Sequence, residues 1–179
     1  MSIINTVFQP VIGKYCWDAR KGYGSFLTFE FGEPHFKIFR EPYVSRLPKH
    51  IRQAARRSVA IVGDWHLWIY MCEWRFYNND TFVGDSESSD EDIKQIAFDL
   101  NGQMLLGVEV NSEWVTIFHF DLGGRLETIP YPIEDRSGPD QLWMLSQPSG
   151  MVFTLRSDGK YQHCMGSETP NGEWISIEE

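Results

Sequence analysis

WHLWIYMCEW, residues 65–74, sets three tryptophans, a tyrosine and a cysteine into ten positions. Extended chain sends alternate side chains to opposite faces. Trp65, Leu67, Ile69 and Met71 therefore share one face, and His66, Trp68, Tyr70, Cys72 and Trp74 the other. Both faces are largely apolar. A strand with one wet face alternates with polar residues, so this one is expected at the centre of a sheet, covered on both sides, within a strand over 65–77. Glu73 and Arg75 mark its emergence into water. The stretch reads as core rather than as a ligand grip, and it points to a mainly β fold.

Its surroundings agree. SFLTFEF (25–31) and HFKIFR (35–40) alternate as strands, and GEP between them suits a tight hairpin turn. GYGS (22–25) stands before a strand and reads as a hairpin loop, since it lacks the third glycine and the strand-to-helix context of a nucleotide fingerprint. Gly63-Asp64 between two apolar runs suits a two-residue turn joining strands 58–62 and 65–77. One helix is well signalled over 90–100. Ser89 with Asp92 forms a capping box, acids crowd the first turn, Ile93, Ile96, Ala97 and Leu100 make one apolar stripe, and Asn101-Gly102 stops it. PKHIRQAARR (48–57) is a weaker helical segment with proline at its first position. From Gln103 onward, strand-like segments are separated by NS, DLGG, EDRSGPD, QPSG and SDG joints. The expected architecture is an antiparallel sandwich or partly open barrel of about ten short strands, in one domain over 1–179.

The two halves also overlay. Gly13 falls on Gly102, Phe29 on Phe118 and Phe31 on Phe120. After one added residue Phe36 falls on Leu126, and further on Leu67-Trp68 falls on Leu142-Trp143. This suggests a repeat of 10–77 in 99–164 joined by the helix, while two unrelated antiparallel hairpins would alternate in a similar way. The overlay puts Glu30 and His119 at equivalent positions, where two ionisable groups meeting near a pseudo-axis would perturb each other.

Composition narrows the function classes. The 179 residues are 42% hydrophobic and 15% aromatic, enough for a core that needs no disulfide staple. Cys16, Cys72 and Cys164 are odd in number and widely spaced, which fits neither a disulfide framework nor a zinc ribbon and suggests a reducing cytoplasm. The longest apolar run, LWIYMC, is far short of a bilayer span, and MSIINTVFQP has no signal-peptide pattern. A net charge of -9 argues against a nucleic-acid binder. That charge is uneven: residues 40–57 hold six bases against the single acid Glu41, and residues 80–92 hold six acids and no base. Arg52, Arg56 and Arg57, with Asp85, Glu87 and Asp90, are accordingly candidates for protein contact.

Local catalytic signatures are missing. There is no GxSxG, HExxH or Walker motif, His163 and Cys164 point to opposite strand faces, and no cofactor or metal is implied. Three readings remain. The first is a non-catalytic interaction protein, an acidic β-domain binding another protein as an immunity or regulator protein does. The second is a small-molecule or sugar binder with an aromatic-lined pocket, for which Trp17, Glu30, His35, Trp65, Trp74, Trp114 and His119 are the candidate residues. The third is an enzyme using Glu30, His119 or His35.

Overall fold

The computed structural model describes residues 2–39, 58–132, 138–167 and 173–177. Two antiparallel sheets of seven and five strands pack together as a sandwich, not a closed barrel. The chain starts in a short helix, α1 (Ile3–Phe8), followed by β1 (Cys16–Lys21), β2 (Leu27–Phe31), β3 (His35–Phe39), β4 (Ser58–Val62), β5 (Trp65–Ile69), β6 (Glu73–Asn78) and β7 (Thr81–Asp85). After α2 (Asp90–Leu100) come β8 (Leu105–Val110), β9 (Thr116–Phe120), β10 (Gly124–Ile129), β11 (Gln141–Ser146), β12 (Met151–Arg156), β13 (Lys160–Met165) and β14 (Ile175–Ser176). The large sheet runs β1-β2-β5-β11-β12-β13-β14 and the smaller one β7-β6-β10-β9-β8. Among the described residues β3 and β4 pair only with each other.

The core lies between the sheets. Phe29, Phe31, Leu67, Ile69, Trp143, Leu145, Phe153 and Leu155 face Trp74, Phe76, Phe118, Phe120 and Leu126, all buried. Trp143 is its hub. Its ring stacks on Phe153 at 5.6 Å and meets Phe8 and Phe118 edge-on, while its Nε1 donates to the buried Thr116 hydroxyl at 2.9 Å. An indole buries a large apolar area but still needs a partner for its N–H, and Thr116 supplies it. Helix α2 adds Ile93, Ile96, Ala97 and Leu100 to the same core. Its ends are those the sequence names: the Ser89 hydroxyl accepts from the Asp92 amide, and Gly102 follows in the left-handed region at φ 85°.

Several expectations need correction. WHLWIYMCEW is not one strand. β5 ends at Ile69, the chain turns through Tyr70–Cys72, and β6 begins in the other sheet. The inward alternation of Leu67 and Ile69 is thereby reset, so Cys72, Trp74 and Phe76 all reach the same core. β5 is central in its sheet, but only one of its faces is sealed. Trp68 and Tyr70 lie half-buried on the outer face, where they cluster with Phe26. Leu142 and Trp143 are both fully buried, unlike Leu67 and Trp68, because β11 carries a register shift between Gln141 and Trp143 that turns two successive side chains inward.

Neither proposed hairpin at 25–40 or 58–77 forms. β2 pairs with β1 and β5, and β4 pairs with β3, so GEP and Gly63-Asp64 are bends, not hairpin turns. GYGS is the loop of the β1–β2 hairpin, as expected. The edge strands β7 and β14 and helix α1 carry little alternation, and the sequence reading names none of them. The helical segment 48–57 lies outside the described residues. No helix among the described residues is long and apolar enough to cross a membrane.

Candidate functional site

β2–β3 and β4–β5 together form one long hairpin with a bend part-way along. Phe31 opposes Trp65 below the bend and His35 opposes Val62 above it. Below the bend both strands belong to the large sheet; above it they leave as a separate two-stranded ribbon. Two glycines permit this. Gly32 takes φ 81°, in the left-handed region that only glycine enters cheaply. Gly63 sits so close to β2 that a Cβ would stand 3.0 Å from the Phe31 nitrogen and closer still to its carbonyl oxygen.

Two carboxylates fix the bend. Glu30, 6% exposed, accepts from the Gly63 amide through Oε2 at 2.8 Å and from His66 Nδ1 through Oε1 at 2.7 Å. Asp64 accepts from the Glu33 amide at 2.9 Å. Each carboxylate thus ties one strand of the ribbon base to the other. A buried carboxylate is tolerable when its oxygens are satisfied in this way. Glu30 acts at a distance too. Burial pushes the Cys16 thiol well above its usual range, and the Glu30 charge adds to the rise.

The ribbon presents an unusual face. Phe36 pairs with Ile61 and Ile38 with Val59, so these four side chains lie on one side. They are 76, 53, 58 and 59% exposed respectively. Scattered surface apolar residues are ordinary, but four together on a ribbon are a contiguous patch of the kind that marks a contact site. The ends of the ribbon lead directly into residues 40–57, with their six bases and one acid. Against the large sheet the ribbon leaves an open cleft of about 870 Å³, bordered by Glu30, His35, Phe36, Lys37, Asp64 and His66, among others.

The sequence-named residues scatter across the fold. Glu30 and His35 do share this cleft, with His35 lying 4.0 Å from Asp64. His119 does not join them. It stands on β9 in the other sheet, facing outward between the buried Phe118 and Phe120, 3.7 Å from Glu109. Glu30 and His119 therefore lie on the outer faces of opposite sheets, so the suggested meeting does not occur. Trp74 is core, 1% exposed, and donates to the Ser25 carbonyl at 2.7 Å. Trp17 and Trp65 are half-buried beside the bend: Trp17 donates to the Gly32 carbonyl, and Trp65 carries the Lys14 ammonium over its ring. Trp114 packs on Gly159 and borders a separate cleft of about 550 Å³ near α1.

Among the contact candidates, Arg52, Arg56 and Arg57 lie outside the described residues. Asp85 is used locally, accepting from the Glu87 amide and the Ser88 hydroxyl. Asp90 pairs with Lys21 at 3.1 Å, and Glu87 is exposed. The four ribbon residues went unnamed because alternation reveals an apolar face but not whether anything covers it. Burial raises the Cys72 thiol as it does Cys16. No group of three or more His, Cys, Asp or Glu side chains among the described residues is placed to hold a metal ion. Comparison of the chain with protein-family models, with curated proteins and with solved structures gives no match.

Proposed function

We propose that this chain is a non-catalytic interaction protein whose contact element is the β3–β4 ribbon together with the basic segment joining its strands. Its partner is a protein presenting an apolar patch rimmed by acidic side chains. The observation that carries this reading is the exposed row of Phe36, Ile38, Val59 and Ile61 on one ribbon face. Apolar side chains at the centre of a contact supply binding energy, and surrounding charge supplies orientation and speed of encounter.

The clamp at the ribbon base supports the same reading. A two-stranded ribbon is marginal alone in water, but this one continues two strands of a seven-stranded sheet. Glu30 and Asp64 hold its exit angle, so less ordering remains to be done on binding. Both Glu30 oxygens are engaged by Gly63 and His66, which fits a clamp better than a general base.

The test is capture of the partner by the wild-type chain and by a Phe36→Ser/Ile38→Ser/Ile61→Ser variant, at low and high salt. The three side chains are solvent-exposed, so each change alters stability by no more than about 0.5 kcal/mol. Wild-type capture is expected to weaken with salt, because the screening length falls from about 10 Å at 0.1 M to about 3 Å at 1 M. The variant is expected to lose capture at either salt concentration. Equal capture by the two proteins contradicts the proposal.

A further inference from the structure

A third cleft, of about 600 Å³, opens on the outer face of the large sheet on the far side of His66 from Glu30. A single cross-strand row runs through it. Trp68 of β5 opposes Met144 of β11, Met144 opposes Thr154 of β12, and Thr154 opposes Gln162 of β13. Residues directly opposite in neighbouring strands share a face, so the row grades from indole through thioether to hydroxyl and carboxamide. Trp174 also borders the cleft, and the Arg156 guanidinium lies 4.3 Å from its ring centre.

The polar end of the row is left incomplete. Gln162 is 4% exposed, and its Nε2 has no hydrogen-bond partner among the described residues. Buried side-chain amides are nearly always paired, and an unpaired donor destabilises until an acceptor reaches it. Gln162 lines the cleft with its Nε2 sealed beneath the surface, so a ligand oxygen reaches this amide once the side chain turns toward the cleft.

Charge narrows the ligand class. Arg156 is the one permanently charged side chain among the described lining residues, and both carboxylate oxygens of Asp158 already hold it. An ionic ligand finds no unpaired counter-charge here. A wholly apolar ligand leaves Gln162 unpaired. We infer that this cleft binds an uncharged saccharide ring, its C–H face against the Trp68 and Trp174 indoles and its oxygens toward Thr154 and Gln162. The volume falls within the range of about 300–1,000 Å³ usual for small-ligand sites. This site stands apart from the ribbon and does not depend on the protein-contact reading.

The experiment is a ¹⁵N–¹H NMR titration of the full chain with three probes: methyl β-glucopyranoside, methyl β-galactopyranoside and N-acetylglucosamine. At least one probe is expected to give saturable shifts centred on the Trp68 and Trp174 indole N–H signals and the Gln162 carboxamide. Gln162→Leu keeps the side-chain bulk and removes the hydrogen bond, so it is expected to bind about tenfold more weakly. Trp174→Ala alters a half-buried residue near the end of the chain, keeps the fold, and is expected to lose the shifts. No saturable shift with any probe, shifts centred elsewhere, or unchanged affinity in the Trp174→Ala variant overturns the inference.

Discussion

Gly63→Ala is the most searching single change to this fold, because Gly63 sits where the ribbon leaves the sheet. The added Cβ would meet the Phe31 carbonyl oxygen and nitrogen, and both are backbone atoms of β2 paired into the sheet. They cannot swing aside as a flexible side chain would. Overpacking of this kind costs about 1–3 kcal/mol, and rigid obstruction places it at the upper end. The chain can relieve the clash by drawing Gly63 away from β2, but this stretches the 2.8 Å hydrogen bond from its amide to the buried Glu30 carboxylate. A hydrogen bond to a charged group contributes about 1.5–3 kcal/mol. The second cost replaces part of the first as the chain gives way, so the loss is about 3–5 kcal/mol. For a chain of this size that lowers the Tm by roughly 6–20 °C. Gly107→Ala is the control: it lies within strand β8, where a Cβ meets nothing within 4 Å. Its expected effect is within about 1 kcal/mol of zero, and stabilising if unfolded-state entropy dominates. Thermal and urea unfolding of the two variants decide the matter. If Gly63→Ala unfolds alongside Gly107→Ala, the tight approach of the Gly63 bend to β2 is wrong, and with it the fixed ribbon.

Other consequences follow from the core and its edges. Trp143→Phe leaves the Thr116 hydroxyl buried without its donor and is expected to cost about 1–3 kcal/mol beyond the lost ring area. Adding Thr116→Val should recover part of that loss, and a double-mutant cycle with zero coupling would contradict the bond. The thiols of Cys16 and Cys72 are buried and pushed far up in pKa, whereas Cys164 is half-buried. A thiol reagent should therefore modify Cys164 alone in the native protein and all three cysteines after denaturation; rapid native labelling of Cys72 would contradict the burial of the β5–β6 turn. Burial alone would raise the Asp158 carboxyl, but hydrogen bonds and charge from Arg156, with Lys160, hold it below the usual carboxylate range. A lowered folded pKa contributes stability above the unfolded value near 3.8, and that contribution fades as pH falls through the folded value. Loosening of the Arg156–Trp174 stack, read by indole NMR signals, is thus expected only below about pH 4, and Asp158→Asn should remove that dependence.

Much of this fold is legible in the sequence where the determinants are local. Ser89, the apolar stripe from Ile93 to Leu100, and Gly102 specify α2 without help from the rest of the chain. Most strands after Gln103 likewise announce themselves by alternation between turn residues. Pairing is different. GEP and Gly63-Asp64 look like hairpin turns because the local chemistry of a bend and of a turn is the same. Only the distant partner strands, β1 for β2 and β11 for β5, show that the chain continues outward there. The crossing at Tyr70–Cys72 is hidden for a related reason: a period-two reading assumes one sheet, and WHLWIYMCEW serves two. At the site, the His66–Glu30 bond depends on β2 and β5 lying side by side, which neither local stretch reveals. The unpaired amide of Gln162 is a property of packing, and nothing in KYQHCM announces it.

Whether the ribbon face contacts an acidic-rimmed protein is tested most directly by site-specific photo-crosslinking in the native cell, with the photoreactive residue placed at Ile38 and, as a control, at Leu106, which is 53% exposed on the edge strand β8. The account predicts a discrete crosslinked protein from position 38 and none from position 106, with the crosslinked peptide of the partner rich in Asp and Glu beside apolar residues. Crosslinking confined to a second copy of this chain, a basic partner peptide, or equal background from both positions would contradict it.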